Sequence, residues 1–183
     1  ENVLRTSMEL GGNAPLIVFD DADLDAAVQG AMDAKLRNMG EACTAANRIL
    51  VHEGIADAFQ AKFAEAMRAR KTGRGTEAGV NVGPIIDDKA RDDVHGLVTE
   101  AVDAGATVVT GGQKIEGEGY FYEPTILSVL EDSPILSQEI FGPVAPVVRF
   151  TDEAHAIRLA NASEYGLAAY IFTQNHNRAL RVA

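Results

Sequence analysis

Pro15-Leu16-Ile17-Val18-Phe19, followed at once by Asp20-Asp21-Ala22-Asp23, is the stretch from which the fold class can be read. Five apolar residues in a row, two of them β-branched, are too few for a buried helix and enough for a strand covered on both faces. The acidic run behind them suits a helix start, where carboxylates accept hydrogen bonds from free backbone N–H groups. A helix is therefore predicted from about Leu24 to Asn38.

The same alternation repeats outward from this unit. Arg48 to His52 reads as a strand, and Ile55 to Arg70 as a helix that sets Phe59, Phe63 and Met67 four apart on one face. Asp87 to Ala104 carries Val94, Leu97, Val98 and Ala101 at helical spacing and is closed by Gly105. Thr107 to Thr110 is a strand ended by Gly111-Gly112, and the polar, glycine-rich stretch from Gln113 to Pro124 is a surface loop or hairpin. Val144 to Phe150 is a strand, Asp152 to Asn161 a helix, and Leu167 to Phe172 a last strand. Strands and helices in alternation call for the α/β class: an open, mostly parallel sheet with helices on both faces. At 183 residues this is one domain with a core of its own. The chain begins at Glu1 and stops at Arg181-Val182-Ala183, inside a helix begun after Asn175, so it reads as a piece of a longer protein.

Charge narrows the choice of partner. Lys and Arg number 16 against 27 Asp and Glu, a formal net charge of −11. Duplex nucleic acid needs a basic face that displaces counterions, and the best candidate, Arg68, Arg70, Lys71 and Arg74, is short and lacks aromatic residues, as expected of a solvated helix end. No apolar run approaches the roughly 18 residues of a membrane span, and no secretory leader opens the chain, which makes the cytosol the expected compartment. A single cysteine cannot form an internal bridge and suits a reducing compartment.

Metal and nucleotide motifs are weak. Asp21, Asp23 and Asp25 alternate like the start of a calcium loop, but the sixth place holds Ala26 rather than Gly and the twelfth Met32 rather than Glu. His52, His95, His155 and His176 are scattered, so no metal site is expected. Gly73-Arg-Gly75-Thr-Glu-Ala78 has the spacing of a dinucleotide fingerprint but follows a helix instead of a strand.

Three segments carry candidate chemistry. Cys43, in Gly40-Glu-Ala-Cys43-Thr-Ala-Ala-Asn-Arg48, has small neighbours that let a ligand approach its sulfur; an inert buried thiol is the alternative. Glu9, flanked by Met8 and Leu10 before Gly11-Gly12, is either a partly desolvated base or a surface acid at a strand end. Glu139, in Gln138-Glu139-Ile140-Phe141-Gly142-Pro143, either faces a ligand or caps the turn.

Taken together, Glu9-Leu10-Gly11-Gly12, Gly40-x-x-Cys43-x-x-x-x-Arg48 and Glu139-Ile-Phe-Gly-Pro143 resemble the signature set of the NAD(P)-dependent aldehyde dehydrogenase superfamily, in order and in spacing. The resemblance spans essentially the whole chain. It implies that residues 1–183 are the catalytic domain, with an amino-terminal cofactor domain and a carboxy-terminal oligomerisation segment outside them. By this resemblance the Cys43 thiolate is the nucleophile that attacks a small aldehyde, giving a thiohemiacetal and then a thioester. Glu9 is the base that activates water. Glu139 holds the ribose of NAD or NADP, and Phe141 packs near the nicotinamide. The Cys43 amide supplies one oxyanion donor; the other lies upstream of Glu1, so the piece alone is expected to be inactive.

Lys35-Leu-Arg37-Asn-Met-Gly-Glu-Ala-Cys43 is most similar to the succinate-semialdehyde dehydrogenases, in which an arginine six residues before the nucleophile binds the substrate carboxylate; Arg37 stands in that place. A guanidinium fork suits that task, although an exposed arginine at a helix end is the plainer alternative. Asn13 replaces a common Lys and Glu41 a common Gln. Ala45 stands where some relatives carry a second Cys, which excludes a disulfide switch of that kind. Oxidation of another small aldehyde, acyl transfer to a thiol, and a non-catalytic binding domain with an inert Cys43 remain the competing expectations. The complete protein is expected to be a homo-oligomer.

Overall fold

Strand β1, Ala14–Val18, is buried at every residue, as a strand covered on both faces must be. The computed structural model describes residues 3–183. After β1 come α1 (Leu24–Leu36), β2 (Ala46–His52), α2 (Glu53–Arg68), α3 (Asp88–Asp103), β3 (Thr107–Thr110), β4 (Thr125–Ser128), β5 (Val144–Phe150), α4 (Glu153–Asn161), β6 (Tyr170–Phe172) and α5 (His176–Val182). The sheet order is β3-β4-β5-β2-β1-β6. Only the β3 and β4 pair is antiparallel; the other four pairings are parallel, so the expected sheet type holds.

Side chains alternate across this sheet and build two cores. Leu16, Val18, Ile49, Val51 and Val147 point to one face, where Met32 of α1 and Phe59, Phe63 and Met67 of α2 cover them. Ile17, Leu50 and Val148 point to the other, beneath Val94 and Val98 of α3 and Ala156 of α4. The Asp21, Asp23, Asp25 run belongs to a helix start: Asp23 accepts from the Ala26 N–H at 3.0 Å and caps α1.

Two expectations are corrected and one strand is added. The first helix stops at Leu36, because Asn38, Met39 and Gly40 take φ of 49°, 55° and 81° and wind the chain left-handed in a short turn over Arg37–Gly40. That conformation ends an α-helix whatever the local propensity. The last strand is Tyr170–Phe172, since pairing to β1 begins only at Leu16 with Tyr170. The four-residue β4, after the glycine-rich loop, is an additional strand too short to show a period.

Parallel pairing of β1, β2, β5 and β6 puts their amino ends at one edge of the sheet. The segments leading into them carry Gly11-Gly12, Cys43 and Glu139, so the topology alone gathers the three motifs.

Candidate active site

Two close backbone approaches lock these segments together. A Cβ at Gly12 would stand 1.9 Å from the Cys43 carbonyl oxygen, and one at Gly40 2.2 Å from the Gly142 carbonyl oxygen. No side chain fits in either place. Gly12 also donates its N–H to Glu139 Oε1 at 2.9 Å, so one glycine touches both the cysteine segment and the acid.

Cys43 is a free, half-buried thiol between the left-handed turn and β2. The backbone beside it is held by the Tyr170 hydroxyl, which donates to the Thr44 carbonyl at 2.8 Å. Glu41 accepts from the Ile86 N–H at 3.0 Å and so ties the loop before α3 to this turn. Burial, with Asp87 nearby, holds the Glu41 carboxyl above its ordinary range.

Glu139 is half-buried and its Oε2 has no donor among the described residues. A Cβ at Gly11 would come within 2.6 Å of that oxygen, so the glycine lets the carboxylate lie against the backbone there. Phe141 has φ of 52° and is 43 % exposed, turned outward beside the acid. Positive φ is uncommon for an aromatic residue, so this backbone is held by the turn around it.

Arg37 is exposed at the end of α1. It lines a cavity of about 350 Å³ together with Ala42 and Thr44, the neighbours of Cys43, and with Tyr170. Glu9 is not brought in. It lies exposed on the extended lead-in to Gly11, with no hydrogen bond to Cys43 among the described residues. Its neighbours Met8 and Leu10 are exposed as well, so within this chain nothing covers the Glu9 carboxyl.

Sequence reasoning places Arg48 and Lys35 within its motifs but gives neither a task; both lie buried near the site. Arg48, only 3 % exposed, donates to the Asn13 carbonyl at 2.8 and 3.1 Å and to the Leu159 and Ala160 carbonyls at 2.9 and 3.1 Å, fastening β2 to the end of α4. Lys35 is fully buried and donates to Asn47 Oδ1 at 2.8 Å. The signal was present: Lys35 continues the apolar stripe of Val28, Ala31 and Met32 at helical spacing. Burial alone brings its ammonium down to about 7. An unfolded lysine keeps its proton up to about 10.5, so between those values the unfolded chain binds more protons and the folded state gains stability as pH rises. Lys35→Met should flatten that slope, as urea midpoints at pH 7 and 9.5 would report; an unchanged slope would assign it to other groups.

Comparison with known proteins completes the picture. The family model described as the aldehyde dehydrogenase family matches residues 1–183. The chain belongs to the aldehyde dehydrogenase family. Among aldehyde dehydrogenases it is 66 % identical over 183 residues to a succinate-semialdehyde dehydrogenase of Paenarthrobacter nicotinovorans, covering all of this chain and 41 % of that protein. It is 48 % identical over 184 residues to a 3-sulfolactaldehyde dehydrogenase of Pseudomonas putida, covering all of this chain and 38 % of that protein. The crystal structure of succinate-semialdehyde dehydrogenase from Burkholderia pseudomallei superposes with a TM-score of 0.93 at 48 % identity, covering 96 % of this chain and 37 % of that one. The chain thus spans about two fifths of the length of the curated relatives it matches. Among the described residues no group of three His, Cys, Asp or Glu side chains is placed to hold a metal ion, and no helix is long and apolar enough to cross a membrane.

Proposed function

We propose that this chain is the catalytic domain of a longer NAD(P)-dependent aldehyde dehydrogenase that oxidises succinate semialdehyde to succinate. The observation that carries the proposal is the meeting of Cys43 and Glu139 on Gly12, beside a cavity whose rim holds Arg37.

The Cys43 thiolate attacks the aldehyde carbon, forming a C–S bond and an oxyanion that accepts from the Cys43 N–H. NAD or NADP, when bound, supplies the two-electron oxidation that turns this thiohemiacetal into a thioester. Glu139 would hold that nucleotide by accepting from its ribose hydroxyls at Oε2, which has no other donor among the described residues, and Phe141 would pack near the nicotinamide. Glu9 takes a proton from water, whose hydroxyl replaces sulfur at the acyl carbon; the acid leaves and the thiolate returns. Arg37 holds the far carboxylate through two parallel bonds.

By this reading the chain alone folds and does not turn over, because cofactor contacts and the second oxyanion donor come from segments outside it. Exposed Val3, Leu4, Met8, Leu10, Leu167 and Leu180 supply apolar surface for those segments and for the second copy of a homo-oligomer. The net charge of −11 is unsuited to nucleic acid, and the lone thiol fits a cytoplasmic enzyme.

The test compares initial rates of NAD(P)H formation in the complete protein, with succinate semialdehyde and with uncharged butyraldehyde. Wild type should favour the charged aldehyde by at least about tenfold in kcat/KM, equivalent to about 1.4 kcal/mol, and Arg37→Ala should erase the preference. Equal rates with the two aldehydes would remove the semialdehyde assignment and leave family membership intact.

A further inference from the structure

Lys35 and Asn47 take no part in the chemistry above, yet both are among the most deeply buried polar residues of the fold. Lys35 Nζ donates to Asn47 Oδ1 at 2.8 Å, and Asn47 Nδ2 donates onward to the Gly12 carbonyl at 3.4 Å. The orientation of that amide is dictated by the lysine. Turned over, Asn47 would set its oxygen against the Gly12 carbonyl, acceptor to acceptor, and, while Lys35 is protonated, its NH₂ against an ammonium. Only one arrangement satisfies all three groups. It delivers a hydrogen bond to the glycine whose N–H holds Glu139 and whose α-carbon lies against the Cys43 carbonyl.

Stability gives no reason for the pair. No carboxylate offsets the burial of Lys35, and burial alone accounts for the depressed affinity for its proton. An unbranched apolar side chain would fill the same place without desolvating a charge.

We propose that Lys35 and Asn47 are positioning residues: the lysine sets the Asn47 amide, and the amide sets the Gly12 segment on which Glu139 and Cys43 are aligned for nucleotide and substrate. This rests on the function proposed above for Glu139. Neither residue touches the reacting atoms.

The experiment compares wild type, Lys35→Met and the double variant Lys35→Met/Asn47→Leu in the complete protein. It reads thermal stability, the KM for nucleotide against kcat, and peptide-level hydrogen exchange over residues 11–14. Lys35→Met orphans Asn47 Oδ1 and should lose stability, whereas the double variant removes both polar partners and should recover it. Nucleotide KM should rise at least about fivefold in both variants, the scale of one lost buried hydrogen bond, with kcat changed less than about twofold. Exchange over residues 11–14 should quicken in both. A double variant that recovers wild-type KM and exchange together with its stability would reduce the pair to a core contact and overturn the proposal. So would a folded Lys35→Met with both readings unchanged. If wild type oxidises no aldehyde with either nucleotide, the proposed function fails, while the exchange comparison, which needs no nucleotide, still decides the role of the pair.

Discussion

Cys43→Ala in the complete protein should lower aldehyde oxidation at least about a thousandfold, because covalent catalysis loses its only nucleophile and water is a poor substitute within the same geometry. Nucleotide affinity should stay within about twofold, since Glu139 is held by Gly12 rather than by the sulfur. The variant should also fold, because the thiol is half-buried and its immediate neighbours, Ala42 and Thr44, are themselves only partly covered. Steady-state rates and nucleotide titration on the same preparation separate these effects. A Cys43→Ala protein with more than about a tenth of wild-type kcat would sink the nucleophile assignment and revive the inert-thiol alternative. Alkylation gives an independent check: iodoacetamide should modify Cys43 in the folded wild type faster than a free thiol at neutral pH, and a slow reaction would point the same way as a surviving rate.

The second large effect is expected at Gly12. Alanine there would place its Cβ 1.9 Å from the Cys43 carbonyl oxygen, far inside contact distance, and the obstacle is backbone rather than a side chain able to swing aside. Either the Gly12 segment or the Cys43 segment must move by more than an ångström. Overpacking of this kind costs about 1–3 kcal/mol of stability. A displacement of about 1 Å at reacting groups costs on the order of a hundredfold in rate. Gly12→Ala should therefore lose a few degrees of Tm and about two decades of kcat/KM, with Glu139 released from the Gly12 N–H at the same time. Gly75→Ala is the control, since a Cβ there meets nothing within 4 Å. Equal behaviour of the two variants would mean that the close approach does not constrain the site.

Much of the fold was legible because its signals are local. The apolar run at Pro15 to Phe19, the acidic start at Asp23 and the helix starts at Asp87 and Asp152 depend on residues a few positions apart, and in the structure each of these three Asp residues caps its helix. What escaped depends on distant partners. Asn38 and Gly40 are residue types that tolerate left-handed backbone, but nothing local shows that Met39 joins them, or that Gly40 lies against the Gly142 carbonyl a hundred positions away. Likewise nothing local gives Lys35 and Arg48 a buried task, because the amide and the carbonyls that satisfy them lie elsewhere along the chain. The three motif segments were visible one by one, but their meeting on Gly12 follows only once four strands are known to start at the same edge. For Glu9 the sequence offers both a desolvated and a surface acid, and within this chain the residue is exposed along with Met8 and Leu10.

That shared edge has an electrostatic side. Helices joining parallel strands run against them, so α1 and α4 turn their carbonyl ends, the negative poles of their macrodipoles, toward the amino edge where Cys43 lies. Many α/β proteins hold anions by the reverse placement, at helix amino ends. Here two helix fields oppose a thiolate or a substrate carboxylate, and positive charge must be brought by side chains. The arginines stand where that need is greatest: Arg48 donates to the last carbonyls of α4, and Arg37 follows directly on the last residue of α1.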